Sequence, residues 1–164
     1  KGNVKMDKFE KIYKKDQYYI KRWEKNYTNK EFYKINKGIR KELEKLLRRK
    51  KKLTPKEKFI CAIIYHHGFT IQSSKKALKY IKQAQKEGYT RQKWLIGSII
   101  DRLLQLQGIP QKYGTQIVKT KKGKYKQYKL DGSISDKERI ELGFPKLKNL
   151  KNYLENFHTT EKHL

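Results

Sequence analysis

The sequence predicts a mainly α-helical protein: a helical bundle with one small β-hairpin inserted before the C-terminal helices. Three observations carry this. Apolar residues recur at spacings of three and four through most of the chain. Several of these stripes open on a Thr or Ser cap and close on a glycine. Only residues 115–130 depart from the pattern, with β-branched and aromatic residues in partial alternation on either side of Lys121-Lys122-Gly123.

The elements follow in order. Phe9, Ile12 and Tyr13, then Tyr19, Ile20, Trp23 and Tyr27, lie at helical spacing. They predict one or two amphipathic helices with basic outer faces, with breaks at Asn29-Lys30-Glu31 and at Gly38. Ile39, Leu43, Leu46 and Leu47 continue the stripe toward Arg48-Arg49-Lys50-Lys51-Lys52. Thr54-Pro55-Lys56-Glu57 is a helix start, with an N-cap, a proline at the first turn and a Glu that completes a capping box. That helix runs through Phe59 to about His67 and stops at Gly68. Ser73 or Ser74 caps a helix from Lys75 to Lys86, closed by Gly88. Thr90 caps one from Arg91 to Gln107, stopped by Gly108; it is the most apolar and is expected at the centre. Strands at 115–120 and 124–130 form the hairpin. Ser135 caps a short helix to about Leu142, Gly143-Phe144-Pro145 breaks it, and a last helix covers about 146–157. The expected organisation is a basic helical extension over 1–53, a helical domain over 54–157 that carries the hairpin and the site, and a tail over 158–164.

Composition narrows the function. The chain has 164 residues and a formal net charge of +27. Hydrophobic residues make up 35 %, below the ~45–50 % of typical soluble domains. The core is therefore modest, and the twelve tyrosines supply part of it. No run approaches the ~18–20 apolar residues of a membrane-spanning helix. The longest is Cys61-Ala62-Ile63-Ile64-Tyr65. The basic N-terminus leads into no apolar segment, so no signal peptide is predicted. The start at Lys1 fits a chain excised from a longer protein. Cys61 stands alone and reads as a buried, inert thiol. The charge points to a polyanionic partner, nucleic acid first and RNA ahead of DNA. A Lys-rich proteome habit is the competing explanation.

Three segments carry groups suited to chemistry. His66-His67-Gly68 ends a helix, where the partial negative charge favours a protonated imidazole. Adjacent histidines point about 100° apart, which suits a metal poorly. No metal and no cofactor is expected. Asp101-Arg102 sits in the most apolar helix, with Gly97 on the Asp face leaving room for a backbone or a ligand. Gln111-Lys112-Tyr113-Gly114-Thr115-Gln116 is a polar loop able to hydrogen-bond a base, a sugar or a phosphate. Each segment also has a purely structural reading: a packed histidine pair, an orienting ion pair, a connecting loop.

The series Ile64-Tyr65-His66-His67-Gly68, Ile100-Asp101-Arg102, Gly108-Ile109-Pro110-Gln111-Lys112-Tyr113-Gly114-Thr115-Gln116, Asp131-Gly132, Asp136, Arg139, Leu142-Gly143-Phe144-Pro145 and Tyr153-Leu154 resembles a widespread bacterial family of unknown function. That family is marked by a His-ended helix, an Asp-Arg helix and a G-x-P-Q-x-Y-G-T-Q loop. The likeness covers about residues 58–155. It implies a shared polar site of His66 or His67 with Asp101, Arg102, Gln111, Tyr113, Thr115 and Gln116. It aligns His67 with the family's histidine and His66 with a glutamine.

The leading expectation is a toxin-type enzyme on nucleic acid, using metal-independent, RNase-like phosphodiester chemistry. His67 is the base or acid, Tyr113 or His66 the second proton-transfer group, and Arg102 the transition-state stabiliser. Asp101 orients the histidine or the arginine. Gln111, Thr115 and Gln116 hold the substrate, with Arg48, Arg49 and Lys50 on its phosphates. An acidic immunity-type protein is the expected partner. The expected place of action is the cytoplasm, after delivery within a larger secreted protein. The alternatives are a non-catalytic RNA- or DNA-binding module and an enzyme on a small nucleotide or metabolite.

Overall fold

A computed structural model describes residues 7–122, 125–150 and 152 of the chain. It is mainly helical: α1 (Lys8–Asn26), α2 (Asn29–Arg49), α3 (Pro55–His66), α4 (Ile71–Lys86), α5 (Trp94–Leu106), the hairpin β1 (Ile117–Lys119) and β2 (Tyr125–Gln127), then α6 (Asp136–Glu141) and a 3-10 turn at Leu147–Asn149. The rest of the expected last helix and the tail lie outside the described residues.

Most boundaries follow from capping. Thr28 with Glu31, Thr54 with Glu57, and Ser135 with Glu138 each form a reciprocal capping box, so two otherwise unpaired backbone donors are satisfied at each start. The expected break at Gly38 is absent. Phe32, Ile39 and Leu43 bury one continuous stripe of α2, and that burial outweighs the ~1 kcal/mol helix penalty of an exposed glycine. α4 begins earlier than expected, capped by Thr70, with Ser73 and Ser74 buried in its first turn. α5 begins later. Gln92 takes a φ of 54°, which a helix cannot include, and Thr90 caps nothing there. The strands are short, paired antiparallel with Ile117 opposite Gln127 and Val118 opposite Lys126.

The central helix is α3, not α5. Every residue from Phe59 to His66 is buried, as expected for a helix that is apolar all round. In α5 burial is confined to Leu95, Gly97, Ser98, Ile99 and Asp101, and Leu103, Leu104 and Leu106 stay partly exposed. α4 packs antiparallel on α3, with Tyr65 stacked on Tyr80 and Phe59 against Tyr89. α2 also runs antiparallel to α3, with Lys50 on Glu57 at one end and Glu44 by the Tyr65 hydroxyl toward the other. α1 runs parallel to α3. Lys56 pairs with Glu10 near the start of α3, and His67 meets Asp16 just past its end. Phe9 and Ile12 of α1 and Ile39 and Leu43 of α2 lie in the same buried cluster as α3, Leu95 and Ile99. Cys61 is fully buried there, and burial pushes its thiol up to about 12. Among the described residues no helix is long and apolar enough to cross a membrane.

Candidate functional site

The site is built where α3 ends. His66 is its last residue, His67 the C-cap, and Gly68 makes the turn into α4. A Cβ on Gly68 would sit 2.1 Å from the Ser73 hydroxyl oxygen, so only glycine lets the two helices meet this closely. Phe69 follows with a φ of 53°, a left-handed conformation that strains a bulky residue. Its ring lies against Trp23 and Phe32, and the Arg102 guanidinium stands 5.1 Å from its centroid.

The two histidines take opposite roles. His66 points inward and is 8 % exposed. Its Nε2 lies 3.3 Å from the Ser98 hydroxyl, and its buried Nδ1 has no partner among the described residues. Burial, then the nearby Arg102 and His67, hold its pKa well below the usual histidine range. Its surroundings thus favour the neutral imidazole over the protonated one. His67 is partly exposed. Its Nδ1 is 2.8 Å from Asp16 Oδ2, and the side chain of Asp16 is 1 % exposed. Gln17 Nε2 donates to the same oxygen at 3.2 Å. Asp16 Oδ1 is buried with no partner among the described residues. With the Nδ1 proton on the Asp16 side, Nε2 is the nitrogen left for chemistry.

Asp101 does not orient a histidine. It is fully buried and turns to the loop, where Oδ1 accepts from the backbone N–H groups of Lys112 and Tyr113. Oδ2 accepts from the N–H and the hydroxyl of Thr115. Four donors on one carboxylate make it a staple for residues 111–116. The Gln111 side chain is equally committed. Its amide nitrogen donates to the carbonyls of Gln116 and Tyr128, and its oxygen accepts from the Gln116 N–H. These two residues shape the loop and leave no group for a substrate. Gln116 accepts from Arg102 Nε at 2.6 Å and donates to the Thr115 hydroxyl. Burial lowers the Arg102 pKa to about 10, so the guanidinium stays charged at neutral pH.

Tyr113 is held from both sides. Its N–H goes to Asp101 and its carbonyl accepts from Arg139 Nη1 at 2.9 Å. Its ring stacks on Phe144, and the room beside Gly97 is filled by these two rings, since a Cβ there would lie 2.6 Å from Phe144. Burial, with Asp101 and Glu138 nearby, raises the phenol pKa, so it stays protonated. Arg139, 1 % exposed, ties Tyr113 to the Pro145 carbonyl.

Arg48, Arg49 and Lys50 lie at the end of α2, where Lys50 pairs with Glu57 in the first turn of α3 and Arg48 lines a cleft with Glu44 and Tyr65. The structure does not bring them to His67. Among the described residues no group of three or more His, Cys, Asp or Glu is placed to hold a metal ion. The residue that sequence reasoning missed is Asp16. Its signal was there: Phe9, Ile12 and Asp16 share one face, and an acid on the buried stripe of a basic helix needs a reason. No family model, no curated protein and no solved structure matches the chain.

Proposed function

We propose that the protein cleaves RNA by metal-independent acid–base chemistry centred on His67. The observation that carries this reading is the 2.8 Å contact between a partly exposed His67 and a buried Asp16. A carboxylate in that position fixes the tautomer and stabilises the imidazolium that forms when the ring takes a proton. In the proposed reaction His67 Nε2 removes the proton of a ribose 2′-hydroxyl. The freed oxygen attacks phosphorus, an O2′–P bond forms, and the P–O5′ bond breaks. Tyr113 gives its phenolic proton to the departing 5′ oxygen. The imidazolium then returns a proton to the phenolate through solvent. Arg102 meets the charge that develops on the phosphoryl oxygens. Delivery as a toxin domain and restraint by an acidic partner extend the same proposal and rest on the charge of the chain.

The test is incubation of wild type and His67→Ala with total RNA, tRNA, DNA and nucleotides, with and without EDTA. Cleavage of RNA that survives EDTA and falls by about a hundredfold or more in the variant is the expected result. Equal cleavage by both proteins, or no product from wild type, overturns the reading. Turnover of free nucleotides alone would assign the site to a small substrate instead.

A further inference from the structure

Two surface clefts carry basic side chains. One, of about 520 Å³, lies between α2, α3 and α4 and includes Arg48, Lys76 and Lys79. Glu44 also lines it, accepting from Lys76 and the Tyr65 hydroxyl. That carboxylate opposes a polyanion. The other, of about 420 Å³, runs along α1 and is lined by Tyr13, Lys14, Gln17, Tyr18, Lys21 and Arg22, with no acid among the described residues that line it.

We infer that the α1 cleft is a docking track for single-stranded RNA leading to His67. Lys14, Tyr18 and Arg22 are spaced by four and form one ridge along the helix, about 12 Å long. Tyr18 is 50 % exposed, unusual for so large a ring. Arg22 lies 3.8 Å from its centroid and is fixed there, because its Nη1 donates to the Tyr18 carbonyl. The pair presents a flat cationic face, with the guanidinium set over the ring by its bond to the backbone. A base stacks on such a face, and Lys14 flanks it as a phosphate partner. A cationic groove with an aromatic platform is the arrangement that tracks single strands; a duplex hides its base faces. The cleft also touches the site. Gln17 lines it and donates to Asp16 Oδ2, the oxygen that holds His67.

The inference rests on the proposed chemistry at His67, so its test reads binding alone. Fluorescence anisotropy with a labelled oligouridylate and a duplex DNA of equal length is measured on full-length His67→Ala protein. Tyr18→Ala and Arg22→Ala are each added to it, with Lys79→Ala as the remote control. Each α1 substitution is expected to weaken single-strand binding by about tenfold, the control by far less. Circular dichroism checks that α1 stays folded, and Tyr18→Trp, which keeps a stacking face, restores binding. Unchanged affinity in the α1 variants overturns the inference. So does an equal loss for duplex and single strand, since that is charge without stacking. If wild type proves inactive on RNA while the α1 variants lose single-strand binding, the chemistry at His67 fails and the track stands.

Discussion

Two buried carboxylates, Asp16 on α1 and Asp101 on α5, are settled in opposite ways. Asp101 accepts from four donors, all on the loop that follows its helix. Asp16 spends one oxygen on His67 and Gln17 and leaves the other without a partner among the described residues. Both are essentially inaccessible to water. A saturated carboxylate contributes rigidity, because any change in its charge or position breaks several bonds together. An unsaturated one beside a partly exposed imidazole can follow a change in that imidazole's charge. Asp101 therefore holds the shape of the loop, whereas Asp16 is coupled to the charge of His67.

The largest expected effect tests the first half of this contrast. Asp101→Ala removes four acceptor contacts and strands buried N–H groups, and is expected to cost roughly 3–5 kcal/mol in urea unfolding. A cost near that of a surface substitution would show that the loop holds its shape without it. Asp16→Asn comes next. It keeps the shape and loses the charge, so about 2 kcal/mol of stability is expected to go. RNA cleavage, on the proposed reading, falls far more than stability does. A variant that unfolds as readily as Asp101→Ala but cleaves normally would reverse the two assignments.

The smallest effect comes from His66. Its pKa is depressed in the folded chain, so below its ordinary value of 6.5 the unfolded chain takes up a proton that the folded chain refuses. Stability therefore falls as pH drops through that value, by up to about 1.4 kcal/mol per pH unit. Denaturation midpoints between pH 7 and 5 for wild type and His66→Gln measure it, and the slope is expected to flatten in the variant. An unchanged slope would place the acid sensitivity elsewhere.

Much of the fold could be read from local chemistry. Thr54-Pro55-Lys56-Glu57 and Ser135 marked helix starts that the structure places within a residue, because a capping box involves only four neighbouring residues. What escaped was set by tertiary burial. Gly38 reads as a break until Phe32, Ile39 and Leu43 are seen to share one buried face. Apolar content alone points to α5 as the centre, whereas α3 holds that place because it is apolar on every side. The polar loop stood out as a motif, but its Asp101 and Gln111 turn inward. The partner of His67 lies fifty-one residues away on a helix whose outer face is basic, and spacing along a sequence carries no information about so distant a pair.

That distance also has a consequence in time. The antiparallel pair of α3 and α4 is local and needs only the turn at Gly68, whereas the bond from Asp16 to His67 waits on closure of a much longer loop. The expected order of assembly is scaffold first and imidazole tether last. Interrupted-refolding experiments should find protected amides in α3 and α4 before the ring of His67 becomes fixed. Anything that delays the docking of α1, whether a preceding chain or a bound protein, prolongs an interval in which the bundle is formed and the tether is not.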